Sequence, residues 1–179
     1  MEQKKILTKS WNSRLQNQLQ KLKKKLNNKS LTIAILGIGS DINGDDAAGP
    51  LFADLLAERF KGNPSIVVFN CGKVPENFSG PVKKFHPDYL LIVDAGLFNE
   101  KRASIGFFDW QNIDGMDIST HSLPVSIFIQ YLINEINCEV GVLLIQSGNT
   151  AFASDISEDV VASVLEASNS LTNILSEFL

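Results

Sequence analysis

Continuous apolar runs, each six to eight residues long, divide the chain at intervals. Runs of this length that are rich in β-branched residues are typical of strands buried on both faces of a sheet. Another predicted strand, 103–110 (ASIGFFDW), begins only a few residues after the apolar run at 89–95. We expect this strand to be antiparallel in the sheet, because the connection between two parallel strands needs more residues. The other four predicted strands are 31–38 (LTIAILGI), 65–70 (SIVVFN), 89–95 (YLLIVDA) and 140–147 (VGVLLIQS).

Between these runs, apolar residues recur every three or four positions, the spacing of one face of a helix. Ser10 and Ser157 each precede such a segment and are predicted N-caps, the second followed by acidic residues in the first turn. The stretch 75–85 (PENFSGPVKKF) is punctuated by Pro and Gly and has room only for short helical turns. The predicted helices are 11–27, 47–60, 123–136 and 157–178.

Strands that alternate with helices predict the α/β class. We expect a three-layer sandwich in which a mostly parallel five-stranded sheet carries helices on both faces. The amphipathic helix before residue 30 precedes this pattern, so we predict an N-terminal helical extension at 1–30 and one main domain at 31–179. The lysine run of the extension could dock an acidic partner, although a solvated helix face is the more ordinary interpretation.

The amino-acid composition limits the classes of partner and the cellular compartment that we expect for this protein. A chain of 179 residues with 44% hydrophobic residues is enough for one domain with a sizeable core. The net charge of -4 argues against nucleic acid as a partner. No segment has the length and apolarity of a signal-peptide core or a membrane helix, so we expect a cytoplasmic protein without a membrane partner. Cys71 and Cys138 have no paired spacing and are predicted to be plain buried thiols.

Three polar clusters fall where loops should leave the carboxyl ends of strands, the edge at which such sheets place their sites. They contain Asp45 and Asp46 after the first strand, Asp94 at the end of the third, and His121 before a helix. Asp94 ends a wholly apolar strand, so its charge needs a cation or hydrogen-bond donors. Two carboxylates and an imidazole would suit a divalent transition metal such as zinc or nickel.

Each of these residues also has a purely structural interpretation. Asp45 or Asp46 could cap the following helix, Asp94 could accept backbone hydrogen bonds, and His121 could cap its own helix. The glycine-containing turn at 37–44 also has some likeness to a dinucleotide-binding loop. Its third glycine is misplaced, however, and two acids at the helix start would repel a pyrophosphate.

Taken together, five motifs resemble, in order and spacing, the [NiFe]-hydrogenase maturation endopeptidases, particularly the type that serves hydrogenase 3. The motifs are LGIGSDINGDDAAGP, CGKVPENF, PDYLLIVDAG, STHSLP and IQSG. The resemblance covers nearly all of the chain from residue 32 onward. It also implies a phosphorylase/hydrolase-like fold, in which a mixed sheet lies between helices.

The resemblance implies that Asp46, Asp94 and His121 match the three metal-binding positions of that family, with Asp45 as a neighbour that orients the loop. It implies an aspartic-type endopeptidase that removes a C-terminal extension from the hydrogenase large-subunit precursor after nickel insertion. The nickel would come with the substrate, and no other cofactor is expected. The family often has Asp-Gly where this chain has Asn70-Cys71, and Asn70 could position substrate by hydrogen bonds instead.

Two catalytic schemes stay open at this point. The metal could polarise the carbonyl or activate water, or a carboxylate such as Asp94 could act as general base. Two other functions also stay open. One is a docking module that checks the precursor for nickel without cutting it, and the other is a Rossmann-like nucleotide enzyme.

Overall fold

The computed structural model describes residues 10–113 and 124–179 and the backbone of residues 117–118. The chain alternates between strands and helices, as predicted, and the short α3 fits the expected short turns. The strands are β1 (Ile33–Ile38), β2 (Ile66–Gly72), β3 (Tyr89–Leu97), β4 (Ile105–Asp109), β5 (Asp117–Ile118) and β6 (Glu139–Gln146). The helices are α1 (Trp11–Lys25), α2 (Ala48–Arg59), α3 (Ser79–Phe85), α4 (Val125–Ile136) and α5 (Glu158–Ser176).

The sheet has the strand order β2-β1-β3-β6-β4. β1, β2, β3 and β6 are parallel neighbours, and β4 runs antiparallel to β6. The predicted direction of β4 is therefore confirmed, although its partner is β6. The carboxyl ends of β1 and β3, which carry the predicted acidic residues, lie side by side because these two strands pair from Ile33↔Tyr89 to Gly37↔Val93.

The sheet is buried on both faces, and the side chains of β3 show this most clearly. Tyr89, Leu91 and Val93 belong to a core shared with α1, α2 and α5, whereas Leu90 and Ile92 belong to a second core shared with α3 and α4. This division follows from the two-residue period of a strand. The predicted three-layer sandwich with a mostly parallel sheet is thus confirmed.

Helix α1 packs on the sheet through one apolar face. Its Leu15, Leu19 and Leu22 are buried in the core that α2 and α5 share. Gln18 adds a polar contact, accepting a hydrogen bond of 2.9 Å from the buried Tyr89 hydroxyl. The helix begins after Ser10, as predicted, and ends at Lys25, slightly before the predicted end. The division of the chain near residue 30 stays a prediction.

A close approach between α2 and the strands fixes the start of that helix. At Gly49, an added Cβ would overlap the carbonyl oxygen of Ile38 and would lie 2.7 Å from that of Val93. Only glycine allows the helix to come this near to the carboxyl ends of β1 and β3. The turn Gly44–Ala47 that precedes α2 consequently lies against β3.

The short strand β5 was not predicted. It pairs antiparallel with β3, Gly96 with Ile118 and Leu97 with Asp117. The pairing of β1 with β3 ends at Val93, so β5 occupies the edge of β3 that β1 leaves open. None of the helices in the described parts of the chain is long and apolar enough to cross a membrane.

Candidate active site

Asp46 lies in the 3-10 turn Gly44–Ala47, between the end of β1 and the start of α2. Its side chain is buried, with 6% of the residue exposed. The backbone of the same turn is closed by hydrogen bonds from Ser40 N to Asp46 O, 3.1 Å, and from Asp46 N to Asn43 O, 3.1 Å. The N-cap of α2 is Ala47, so neither acid of the pair occupies the capping position that was the alternative interpretation.

Asp94 lies in β3, one residue past the last pair that this strand forms with β1. The residue is fully buried. Its Oδ1 accepts a hydrogen bond of 2.8 Å from the backbone N–H of Ala95, which fixes the orientation of the carboxylate. The turn that carries Asp46 lies against the same strand, so the fold brings both acids to the carboxyl edge of β1 and β3.

Asp45 has a different environment from its neighbour, because its buried carboxylate holds two loops together. One oxygen accepts hydrogen bonds from Gly148 N, 2.7 Å, and Asn149 N, 2.9 Å. The other accepts one from Ser157 N, 2.8 Å, at the start of α5. The expected role of Asp45, orienting the loop that contains Asp46, agrees with this arrangement.

Two opposing effects act on the pKa of Asp45. Burial raises the pKa of this carboxyl, but hydrogen bonds from the backbone of Asn149, Ser157 and Gly148, together with the Ser157 side chain, outweigh that effect and hold the pKa below its ordinary value. Hydrogen bonds to the charged form stabilise a carboxylate in this way. Asp45 is therefore ionised at neutral pH and works as a fixed acceptor.

Gly44 allows the two loops to meet. Its φ of 55° lies in the left-handed region, and an added Cβ would overlap the Asn149 carbonyl oxygen. Backbone hydrogen bonds from Gly44 N to Ser154 O, 3.0 Å, and from Asp45 N to Asn149 O, 2.7 Å, join the loops further. Sequence reasoning missed this connection. Residues about a hundred positions apart leave no periodic signal, although the IQSG motif precedes the second loop.

His121, the third predicted site residue, lies outside the described residues. The flanking elements are described: β5 ends at Ile118 on the carboxyl end of β3, and α4 begins at Val125. Because α4 precedes the parallel strand β6, it begins at the carboxyl edge of the sheet. Within residues 10–113 and 124–179, no three His, Cys, Asp or Glu side chains are grouped so that they could hold a metal ion.

Asn70 and the two cysteines complete the predicted set. Asn70 donates to the Asp54 carboxylate, 3.0 Å, and accepts from Gly72 N, 3.2 Å, so its amide holds the end of β2. Cys71 and Cys138 are buried free thiols, as predicted. Burial raises the pKa of Cys71 to about 12 and that of Cys138 to about 11, which leaves neither as a thiolate nucleophile at neutral pH.

Comparison with known proteins decides which family this site belongs to. A sequence model of the hydrogenase maturation protease family matches residues 50–174. This chain belongs to the hydrogenase maturation protease family. The resemblance inferred from the motifs is confirmed, and with it the assignment as an endopeptidase.

The matches between this hydrogenase maturation protease and its relatives cover most of the chain. The hydrogenase 3 maturation protease of Escherichia coli K12 is 35% identical over 112 residues, 62% of this chain and 68% of the relative. A candidate hydrogenase maturation protease of Methanocaldococcus jannaschii is 33% identical over 151 residues, 81% of this chain and 89% of the relative. The solved structure of the [NiFe] hydrogenase maturation protease HycI from Thermococcus kodakarensis superposes with a TM-score of 0.74 at 30% identity, covering 82% of this chain and 94% of that one.

Proposed function

We propose that this maturation protease removes the C-terminal extension of a [NiFe]-hydrogenase large-subunit precursor after nickel insertion, and that Asp46, Asp94 and His121 recognise the nickel. One observation carries the proposal. In a member of this protease family, two buried carboxylates lie at the adjoining carboxyl ends of β1 and β3. Nickel belongs to the substrate in this scheme, so recognising it restricts cleavage to precursor that is already loaded.

The donor chemistry supports a divalent metal at this edge. Asp46 and Asp94 are both at least nine-tenths buried, and a divalent cation at this edge would lower the free energy of burying two negative charges near one another. Oxygen and imidazole ligands suit nickel or zinc. The described neighbours of His121 support its inclusion, since β5 ends only three residues before it and three extended residues span about 10 Å.

The protein's own groups suggest how cleavage could proceed. The Asp94 carboxylate is oriented by the Ala95 N–H and could accept a proton from water that attacks the scissile carbonyl. In the other scheme, substrate-bound nickel polarises that carbonyl or activates the water, and Asp94 acts as a ligand. Both schemes require Asp94 as a carboxylate. The raised pKa values of the thiols argue for a water nucleophile rather than a cysteine.

Single substitutions test the proposed site. We expect Asp46→Asn, Asp94→Asn and His121→Ala each to slow cleavage of nickel-loaded precursor by about a hundredfold or more, the usual contribution of a positioned acid–base group or ligand. The matched control is Asp109→Asn, because Asp109 is an exposed acid at the far end of β4. The rate is read from the mass of the precursor over time, and urea unfolding shows that each variant is folded.

The same experiment separates protease from docking module. If wild-type protein binds loaded precursor but never shortens it, the protein checks nickel without cutting. If Asp94→Asn cleaves at the wild-type rate, the role assigned to that carboxylate is wrong.

A cytoplasmic location also stays part of the proposal. Fractionation of cells, with an antibody that detects this protein, would test the location.

A further inference from the structure

Exposed apolar side chains are concentrated at the carboxyl edge of the sheet. Seven large apolar side chains are strongly exposed in the described parts of the chain, and four of them lie at the carboxyl end of a strand or in the loop after it. Exposed apolar groups that cluster beside a site often mark an interaction surface, whereas single ones need no explanation. The four are Ile42, Val74, Leu97 and Phe152.

Ile42 and Phe152 lie in two loops that are hydrogen-bonded to each other, and the first of these loops leads into the turn that contains Asp46. Ile42 is 49% exposed and stands four residues before Asp46 in the loop after β1. Phe152 is 78% exposed and stands in the loop between β6 and α5. The backbone N–H of Ala153 donates to the carbonyl oxygen of Ile42, 2.8 Å, which joins the backbones of the two loops at Ile42 and at the residue after Phe152.

The fold holds Phe152 in place while leaving its ring in solvent. Ala153, the next residue, has a φ of 56°, a left-handed conformation that is unfavourable for a residue with a Cβ. Ser154 Oγ donates to Ala151 O, 2.6 Å, and Ala151 N donates to Asn149 Oδ1, 3.0 Å, so the loop closes on itself. The Asp45 carboxylate holds its first residues. An aromatic side chain presented on a rigid loop loses little entropy on binding.

Charge indicates what kind of partner fits here. Segments 40–47 and 148–158 contain no Lys or Arg, and Asp41, Asp155 and Glu158 are exposed acids within them. Arg102 packs near Gly148, but its guanidinium forms an ion pair of 2.9 Å with Asp159. A partner segment with acidic residues would therefore be repelled, and one with basic residues would be attracted.

We infer that Ile42 and Phe152 form a docking surface, the Ile42–Phe152 surface, for a segment of the precursor polypeptide that carries apolar side chains with basic neighbours. The inference rests on the proposed function, since it places this segment beside the bond that is cut. Buried aromatic anchors carry much of the free energy at protein interfaces. The surface therefore sets the affinity for the precursor, and Asp46, Asp94 and His121 set the chemistry.

Truncation of the aromatic ring tests the surface. Phe152→Ala should raise the KM for nickel-loaded precursor about tenfold and leave kcat within about twofold, because an anchor of this kind contributes to binding rather than to chemistry. Leu165→Ala is the matched control, an apolar side chain on α5 with 43% exposure, and its KM should equal that of the wild type. Since Phe152 is 78% exposed, Phe152→Ala should keep the wild-type urea midpoint, and urea unfolding also shows that Leu165→Ala is folded.

A second pair of variants tests the charge. Asp41→Asn combined with Asp155→Asn should raise KM severalfold at low salt and make KM less dependent on salt concentration. If Phe152→Ala has the KM of the wild type, the docking surface is wrong although the proposed cleavage stands. If the acid variants keep both KM and its salt dependence, the basic character assigned to the partner segment is wrong.

Failure of the proposed function gives a different result. If wild-type protein does not cut loaded precursor, the Kd for that precursor is compared between wild type and Phe152→Ala. A tenfold weaker Kd for the variant supports the surface without the protease assignment. Equal Kd values, or no binding by the wild type, overturn the surface as well.

Discussion

The neighbouring acids Asp45 and Asp46 have different surroundings. Asp45 faces the N–H groups of Gly148, Asn149 and Ser157 and joins two loops, whereas Asp46 lies in the turn against β3. A substitution at Asp45 should therefore affect cleavage indirectly, by displacing the loop that contains Asp46. A substitution at Asp46 should affect cleavage directly. The sequence shows two adjacent acids but cannot show which of them accepts the hydrogen bonds from the loop before α5.

Replacement of Asp45 by Asn should destabilise the protein by about 1–3 kcal/mol, since one buried oxygen becomes an NH2 group that faces backbone N–H donors. Urea unfolding at pH 7 measures the change. Asp109→Asn, an exposed acid on β4, should stay within about 0.5 kcal/mol of the wild type. Equal stability of the two variants would contradict the role of Asp45 in joining the loops.

At the scale of elements, apolar runs were enough to predict the main strands, because each of β1, β3 and β6 is buried on both faces. Helix ends were less predictable: α1 stops early, before Asn27 and Asn28, which both have positive φ. β5 could not be predicted. It is two residues long, and the sequence does not show that β3 extends past β1 and leaves an edge open.

The close approach of α2 to the strands gives an element-scale prediction. Gly49→Ala should destabilise the protein by about 1–3 kcal/mol, because the new methyl group overlaps the Ile38 carbonyl oxygen and pushes α2 outward. Cleavage should also slow, since Asp46 lies just before that helix. Gly80→Ala is the matched control in α3, where an added Cβ meets nothing within 4 Å. It should be neutral or slightly stabilising. A neutral Gly49→Ala would mean that the helix start is not fixed by this contact.

At the scale of the whole molecule, Asp88 connects the beginnings of β1 and β3, at the edge opposite the site. Its carboxylate accepts hydrogen bonds from Thr32 N and Thr32 Oγ1, both 2.9 Å, and pairs with Lys29 at 3.0 Å. Burial raises the pKa of Asp88, but the Thr32 and Lys29 interactions outweigh it, so the pKa is lowered. The carboxylate therefore stabilises the fold above the unfolded-state pKa of about 3.9.

This stabilisation should be lost as the pH falls from about 4 through the lower folded-state pKa of Asp88. Asp88→Asn should therefore be less stable than the wild type at pH 7, and the difference should shrink in acid. Urea unfolding between pH 7 and pH 3 measures both free energies. A difference that stays constant over this range would contradict the assignment.

The architecture and the two acids at the edge of the sheet were open to prediction, because strand burial and polar residues at strand ends both leave local patterns. Other parts of the site depend on contacts between distant segments. The Asp45 hydrogen bonds and the neighbouring positions of Ile42 and Phe152 form only when the loops after β1 and β6 meet. No regular spacing of residues in the sequence predicts the contact between these two loops.

The dependence of cleavage on nickel tests the proposed recognition of the metal most directly. Wild-type protein is incubated with large-subunit precursor from the same organism, either nickel-loaded or nickel-free, and intact mass is followed over time. Only the loaded precursor should lose a C-terminal segment, and His121→Ala should slow that loss by about a hundredfold or more. Equal cleavage of both precursors would contradict nickel recognition, even though the protein would still be a maturation protease.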